Sequence, residues 1–323
     1  MFHKKSFFLV IVAVLLGVFS LGTRAQAPSK PLRVGISSPE ANNPFHVQLS
    51  RSIAATLKER GIDSLLLSAN ADINAQVNNI GDLISAKVDA ILVAPLDEEG
   101  AAPAIMRAKA AEIPVFMYAR TLDTKYAHLW HSFVGMDAVA VGTDKGQWLV
   151  KNTKPGKVAM LLGPAAAAPM VEQEKGFRKT VEGAGYKVVF NQTSTMTREN
   201  GIKLAEDALV ANKDLAAIYA ANDDLALGAG QAVKAAGLKG KVAVIGMNGS
   251  PAALAAVHNG DMAATVLLDP VAWGQTSANM VADFLLKKQV PAKFVPMKHR
   301  MVGQAEAYDL VPPPLRERLG VTR

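Results

Sequence analysis

Runs of consecutive apolar residues alternate with segments of helical period along most of this chain. Two of the runs, 90–94 and 242–246, are apolar at every position, so both faces of the strands they form must be covered. Short apolar strands that alternate with helices are typical of parallel α/β sheets. We predict strands at 31–37, 62–68, 89–94, 113–118, 132–135, 157–162, 186–191, 215–220, 241–246, 262–268 and 294–301, and helices near 45–60, 73–87, 99–111, 138–151, 168–184, 198–212, 223–236, 251–259 and 271–289.

The predicted elements fall into two similar halves. Four strand–helix units precede about residue 135, and four more follow from Lys157. The chain is therefore predicted to form two similar doubly wound α/β lobes with mainly parallel sheets. Such sheets bind ligands outside the carboxyl ends of their strands, and two facing lobes make a cleft there.

The loop after the first strand, Asn42-Asn43-Pro44-Phe45-His46, opens a helix. A proline suits an early helical position, and the amides suit a cap or a local hydrogen bond. One interpretation is an N-cap followed by a buried phenylalanine. The other is a place where an aromatic ring and two amides hold a small polar ligand.

The loops at the strand ends together bring one aromatic, several amides, one arginine and one or two carboxylates to a single edge. Such a set suits a hydroxylated small molecule, whose hydroxyl groups need planar partners while its C–H faces need apolar cover. Asn222 is also a good helix cap, and Arg120 also suits a surface turn. The candidate ligand-binding residues are Ser37, Asn43, Phe45, His46, Arg120, Asp137, Met196, Asn222, Met247, Asn248, Leu268 and Asp269.

The first residues are predicted to be a secretory signal. Lys4 and Lys5 precede an apolar segment at 7–19, and Ala25 or Ala27 offers a small residue for cleavage. We favour cleavage after Ala25. The alternative is a retained membrane anchor, for which the apolar segment is short.

The amino-acid composition limits the cellular compartment and the kinds of partner that we expect. Cysteine is absent, which excludes disulfides, thiolate chemistry and a lipid-carrying cysteine. An exported chain without a span or a lipid is expected to be soluble in a bacterial periplasm. The formal net charge is +7, and the basic residues are scattered along the sequence. The sequence has no basic stripe interleaved with aromatic residues, which would indicate nucleic-acid binding.

Signals for catalysis are weak. The sequence has no G-x-S-x-G, P-loop or H-E-x-x-H motif. His128 and His131 lie near Trp130, but no carboxylate or thiol stands beside them at metal-ligand spacing. We therefore expect no enzyme activity, no metal and no cofactor.

Five segments together resemble the periplasmic solute-binding proteins of the ribose-binding type, which serve ATP-driven importers. The resemblance runs from about Leu32 to Met301. The segments are Asn42-Asn43-Pro44-Phe45, Ile113-Pro114-Val115, Ala221-Asn222-Asp223-Asp224-Leu225-Ala226-Leu227-Gly228-Ala229, Val244-Ile245-Gly246-Met247-Asn248-Gly249-Ser250-Pro251 and Asn259-Gly260-Asp261-Met262-Ala263-Ala264-Thr265-Val266.

The resemblance implies roles for several residues. The asparagine and the two stacked aromatics of the family's first loop fall on Asn43, Phe45 and His46, its binding serine on Ser37 or Ser38, and its second asparagine on Asn222.

Other positions depart from the sugar-binding pattern. The family's Asp-Arg pair is replaced by Ala119-Arg120. The position of a family arginine falls near Val171, and the position of a family aromatic residue falls near Met196. The aromatic-Asp pair is Met247-Asn248, and the hinge glutamine is Leu268, followed by Asp269. The predicted pocket is less polar than a pentose or hexose requires, so a sugar and a less polar metabolite both stay open.

The resemblance also implies an architecture, the type I periplasmic binding protein fold. Lobe one would comprise 28–136 plus 269–295 and lobe two 137–268 plus 296–323, with a three-segment hinge near Met136, Leu268 and Pro296. We expect a monomer that closes on a solute and delivers it to a membrane permease. The alternatives are a periplasmic sensor that presents its ligand to a chemoreceptor or sensor kinase, and a repressor, whose N-terminal DNA-binding helices are replaced here by a signal sequence.

Overall fold

Strands and helices alternate through residues 30–41, 43–97, 99–164 and 168–322, which a computed structural model describes. The predicted signal sequence, both cleavage positions and Asn42 lie outside these residues. The strands are β1 Arg33–Ser38, β2 Asp63–Ser68, β3 Ala90–Val93, β4 Val115–Tyr118, β5 Ser132–Gly135, β6 Lys157–Leu162, β7 Lys187–Thr193, β8 Leu215–Ala220, β9 Ala243–Asn248, β10 Ala264–Leu268, β11 Phe294–Pro296 and β12 His299–Gly303.

Helices fill the connections between these strands. They are α1 Pro44–Glu59, α2 Ile73–Ser85, α3 Ala102–Ala110, α4 Ala138–Asn152, α5 Ala168–Gly183, α6 Arg198–Ala211, α7 Asp223–Ala235, α8 Pro251–His258, α9 Pro270–Lys287, α10 Gln304–Leu310 and α11 Pro313–Arg316, with a 3-10 helix at Thr124–Leu129.

The strands form two six-stranded sheets. The first has the order β11-β5-β4-β3-β1-β2 and the second β12-β10-β9-β8-β6-β7. Neighbouring strands run parallel except β12, which is antiparallel to β10. All four residues of β3 are buried, as the continuous apolar run predicts. The predicted α/β fold with two mainly parallel lobes is confirmed.

Helices cover both sheets. In the first lobe α1 packs on α9, and α2 packs on α3; in the second, α4 packs on α5, α6 on α7, and α8 on α10. The α4–α5 contact is very close, because a Cβ added at Gly142 would lie 1.9 Å from the backbone oxygen of Gln173. This contact brings the buried side chains of α4 and α5 together beneath the second sheet.

The chain passes between the two sheets three times: after β5, after β10, and between β11 and β12. The predicted single strand at 294–301 is wrong in this respect. Pro296 pairs with Gly135 in the first sheet, whereas His299 pairs with Leu268 in the second. The run is divided because its two ends belong to different sheets. The pattern also missed α10, α11 and the 3-10 helix.

Candidate ligand-binding cleft

The candidate site lies where the two sheets present the carboxyl ends of their parallel strands. An apolar cluster, which we call the interlobe cluster, joins the two sides there: Met247, Val266 and Leu268 of the second sheet are buried together with Phe116 and Tyr118 of the first. The two lobes are therefore in contact at this edge.

The first loop combines the two interpretations that the sequence left open. Asn43 caps α1, because its Oδ1 accepts a hydrogen bond of 3.0 Å from the backbone N–H of Phe45. The half-buried ring of Phe45 meets the rings of His46 and Trp273 edge to face, with centroids 5.4 Å apart in each pair. Phe45 also packs against the interlobe cluster. The cap thus fixes an aromatic ring at the edge of the cleft.

Arg120 pairs with a carboxylate that comes from another loop. Its Nη2 lies 3.0 Å from Oε1 of Glu40, and the side chains are 37% and 17% exposed. Ala119 has a φ of +58°, and the N–H of Arg120 donates to the oxygen of Tyr118 at 2.6 Å, which closes a tight three-residue turn. Backbone strain of this kind is concentrated at functional sites.

His46 lies buried beside this pair. Its Nε2 is 3.9 Å from Oε2 of Glu40. Burial and the positive charge of Arg120 lower the pKa of His46 from 6.5 to about 4, and Glu40 opposes the shift. The imidazole is therefore uncharged at neutral pH. Its Nδ1 is buried without a hydrogen-bond partner among the described residues.

A layer of hydroxyl groups lies beneath the first loop. The Tyr118 hydroxyl donates to the backbone oxygen of Ser37 at 3.2 Å, and Ser50 donates to Ser38 at 3.1 Å. Burial raises the pKa of Tyr118 to about 12. The Oγ of Ser37 lies 3.5 Å from Nε2 of the buried Gln76, and Ser37 itself is fully buried. The structure does not place the Ser37 hydroxyl beside Phe45 and Arg120, and its binding role stays a prediction.

Three candidates lie at the crossings between the sheets. Asp137 caps α4 through the N–H of Ala140, and Asp269 caps α9 through the N–H groups of Val271 and Ala272. Both aspartates are exposed, whereas Leu268 is 6% exposed in the interlobe cluster. The geometry gives the carboxylates a capping role and gives Leu268 a packing role.

On the second lobe, Asn222 caps α7 and also fixes a neighbouring loop. Its Oδ1 accepts from the N–H of Leu225 at 2.9 Å, and its Nδ2 donates to the oxygen of Met196 at 3.3 Å. Met196 and Met170 both approach Gly163, where an added Cβ would lie 3.1 Å from Sδ of Met196 and 3.0 Å from Cγ of Met170. Two thioether side chains therefore meet at the end of β6.

Met247 and Asn248 end β9. Met247 is 4% exposed, and its sulfur accepts a hydrogen bond of 3.1 Å from Nε2 of Gln173. Asn248 has a φ of +127°, a conformation that residues other than glycine rarely adopt. Strained backbone therefore occurs at the strand ends of both lobes, at Ala119 and at Asn248.

A buried hydrogen-bonded network surrounds Lys145. The fully buried Lys145 donates to the oxygen of Ala220 at 2.8 Å and to Oε1 of Gln173 at 3.1 Å, and its Nζ is 3.7 Å from the centroid of the Tyr219 ring. Burial lowers the pKa of Lys145 well below its usual value, and the nearby Asp223 opposes that shift.

Asp223 ties the second-lobe loops to one another. It accepts 2.7 Å and 2.6 Å hydrogen bonds from the N–H of Ser250 and from Oγ1 of Thr265. Burial raises the pKa of Asp223, and these two bonds and Lys145 act against the shift. The loops after β8 and β9 and the strand β10 are thus held by one carboxylate.

The comparison with known proteins agrees with this geometry. The sequence profile of the family described as periplasmic binding protein domain matches residues 34–289. This chain belongs to that family. The resemblance to the ribose-binding type is confirmed.

Two curated relatives illustrate the family. This periplasmic binding protein is 31% identical to the galactofuranose-binding protein of Escherichia coli over 265 residues, which are 80% of the chain and 83% of the relative. It is 30% identical to the ribose import binding protein of Bacillus subtilis over 262 residues, which are 81% of the chain and 84% of the relative.

Solved structures have the same fold. A periplasmic ribose ABC transporter protein from Conexibacter woesei superposes with a TM-score of 0.83 at 26% identity, over 90% of this chain and 97% of that one. The binding protein of the arabinose ABC transporter from Shewanella, solved with L-arabinofuranose, gives 0.77 at 29% identity, over 90% and 99%.

Within this periplasmic binding protein, sequence reasoning missed four residues that shape the cleft: Glu40, Lys145, Gln173 and Met170. Glu40 lies in the first loop, but its partner Arg120 is 80 residues away in the sequence, so the sequence pattern did not indicate their pairing. Lys145 and Gln173 carried no local signal, because a lysine and a glutamine in helical patterns usually face water. Met170 packs against both the interlobe cluster and the second-lobe core, which only the fold reveals.

Proposed function

We propose that this periplasmic binding protein captures a sugar or sugar-like solute between its lobes and delivers it to the membrane permease of an ATP-driven importer. The observation that carries the proposal is the meeting of two parallel sheets by their carboxyl edges, with Phe45 and Met247 in the cluster that joins them. The names of the two curated relatives, galactofuranose-binding protein and ribose import binding protein, support a sugar.

Closure is the proposed mechanism. A solute that touches both lobes favours the closed state, because the open state offers it only one wall. We propose a hinge at the crossings near Met136, at Leu268 and after Pro296, with the lobe boundaries given by the sequence, except that Pro296 belongs with the first sheet. The caps Asp137 and Asp269 would make α4 and α9 rigid directly beyond two of the crossings.

The site we propose unites Phe45, His46 and Arg120 of the first lobe with Asn222 and Met247 of the second. The Phe45 ring would cover a C–H face, and the Arg120 guanidinium would donate to hydroxyl groups. Glu40 pairs with Arg120 and supplies a carboxylate acceptor, which Ala119 at the family's aspartate position does not. The binding roles of Ser37, Asn43, Asp137, Met196, Asn248, Leu268 and Asp269 stay predictions as well.

The cellular setting is part of the proposal. No helix within residues 30–41, 43–97, 99–164 and 168–322 has the length and hydropathy to cross a membrane. We propose export by the signal sequence, a soluble monomer in the periplasm and no lipid anchor. Sequencing the N-terminus of the protein from a periplasmic extract tests cleavage after Ala25, and light scattering tests the monomer. A retained N-terminus would contradict the export proposal.

Binding is tested with protein from which any solute has been removed by unfolding and refolding. We expect Tm to rise with at least one of D-ribose, L-arabinose, D-allose, D-galactose or myo-inositol, and a micromolar Kd, about −8 kcal/mol. The variant Phe45→Ala should weaken that binding at least tenfold, whereas Phe294→Ala, which removes a 40% exposed ring from β11, should not. Folded protein that responds to no sugar or polyol would contradict the proposal.

A further inference from the structure

Part of the wall that the second lobe offers is apolar. Met247 and Leu268 are 4% and 6% exposed within the interlobe cluster, and Met170 packs against the same cluster. Met196 lies beside Met170 at the end of β6. Thioether and alkyl groups therefore make up this part of the wall, and they bond a hydroxyl group less well than the amide of Asn222, which belongs to the same proposed site.

Two ionisable groups of this lobe lie in its interior. Lys145 is fully buried, and its ammonium donates to Ala220 and Gln173. Asp223 is 3% exposed and accepts from Ser250 and Thr265. Each group has its hydrogen bonds inside the lobe, so neither is directed at a ligand.

Gln173 connects this buried layer to the wall. Its Oε1 accepts from Lys145 at 3.1 Å and from the Tyr219 hydroxyl at 2.9 Å, which leaves its amide N–H to point the other way. That amide donates to the sulfur of Met247 at 3.1 Å. Since two donors fix the orientation of the amide, the amide in turn fixes the position of the thioether.

In the first lobe the pair of Glu40 and Arg120 carries no net charge, and His46 next to it is buried in a T-shaped contact with Phe45. A carboxylate-bearing ligand would have to separate the Glu40–Arg120 pair, and the apolar side chains of Met247, Leu268 and Met170 would give it no partner. This part of the cleft therefore disfavours anionic ligands.

We infer that Met247, positioned by Gln173, makes this cleft selective for an uncharged cyclic solute that turns a hydrocarbon face, such as a deoxy position or a methyl group, to the second lobe. The inference rests on the proposed function and names the ligand class of the same site. A hydroxyl buried against the methionines without a partner weakens binding by roughly tenfold or more.

Ligand sets that differ only at one carbon test the class. Calorimetry with D-fucose, D-galactose and D-galacturonate compares a methyl, a hydroxymethyl and a carboxylate group at C5 of the ring, and methyl 5-deoxy-β-D-ribofuranoside with methyl β-D-ribofuranoside repeats the test on a furanose ring. We expect the deoxy member to bind at least tenfold more tightly and the uronate to bind weakest. Tighter binding of the hydroxylated member or of the uronate would overturn the inference while leaving the proposed function intact. If folded protein binds none of these sugars, both the inference and the proposed function are contradicted.

Variants test the positioning role. With methyl-13C-methionine labels, Gln173→Leu should shift the Met247 signal and reduce the preference for the deoxy sugar at least threefold. The variant Met247→Gln should reduce or reverse the preference, and Met247→Leu should retain it. The matched control is Met106→Gln, which changes a 45% exposed methionine on α3 and should leave the preference unchanged. An unchanged preference in both Gln173→Leu and Met247→Gln would overturn the assignment, even if the variants are less stable.

Discussion

In the first lobe the pair of Arg120 and Glu40 lies near the surface, where the Arg120 side chain is 37% exposed; in the second lobe Lys145 and Asp223 are buried. The two lobes have the same α/β architecture. They differ in how deep these ionisable groups lie, since Lys145 is 0% and Asp223 3% exposed.

The depth of a charge decides what it does. A charge at the surface remains available to a ligand and is screened by water, so it contributes little to stability. A charge in the interior is unavailable to a ligand, and its removal leaves partners unpaired. The first lobe is therefore expected to respond to mutation mainly in binding and titration, and the second lobe mainly in stability.

The largest effect is expected for Asp223→Ala in the second lobe. The substitution leaves the N–H of Ser250 and the hydroxyl of Thr265 without their acceptor in the interior. We expect the free energy of unfolding to fall by about 3 kcal/mol or more in a urea titration. The neighbouring Asp224 is exposed, and Asp224→Ala should cost less than about 1 kcal/mol. Equal losses of unfolding free energy in the two variants would contradict the role assigned to the buried Asp223.

The next effect is the pH dependence due to His46. Its pKa is about 4 in the folded protein and about 6.5 in the unfolded chain, so the unfolded chain binds the proton first. Stability should fall as pH is lowered from about 6.5 to 4, by about 3 kcal/mol from this group. Unfolding curves of His46→Gln at several pH values should lack this component. A variant with the same pH dependence as the parent would contradict the assignment.

A smaller effect tests the surface pair of the first lobe. Removal of the guanidinium in Arg120→Met should raise the pKa of His46, because Arg120 lowers it and Glu40 raises it. Histidine NMR titration measures the shift. The exposed Arg300, paired with Glu306, provides the control, since Arg300→Met should leave the His46 titration unchanged. A fall in the His46 pKa in Arg120→Met would show that the charges do not act as described.

The smallest effect compares two matched caps. Asn43→Ala and Asn222→Ala each remove a helix cap worth about 1 kcal/mol. Asn222 also holds the oxygen of Met196, so its loss should cost slightly more and weaken ligand binding. Thermal unfolding and calorimetry measure both variants. A larger loss for Asn43→Ala would indicate that the Met196 contact contributes nothing.

The sequence predicted the sheets and the caps well, because both depend on neighbouring residues. Continuous apolar runs such as Ala90–Val93 require burial on two faces, and an amide or acid before a helix has few alternatives to capping. The prediction of a single strand at 294–301 was wrong because the hydrophobic pattern does not change where the chain passes from one sheet to the other.

The candidate site was predicted less completely. Individual loop residues were found, but their pairings depend on distant chain segments: Glu40 with Arg120, and Lys145 with Ala220. Their roles were also undetermined, because Asn43 and Asn222 can cap a helix and contact a ligand at once. Only the packed structure shows that Lys145 and Asp223 lie below the surface of the second lobe.

The third crossing has a consequence for how the chain matures. The first sheet contains β11, and α1 is covered by α9, whose Asp283 pairs with Arg60 across 223 residues. A chain that is made in sequence order cannot complete its first lobe until the residues after α9 are present. Such distant contacts form slowly. The interleaved ends thus delay completion of the first lobe until most of the chain has been made.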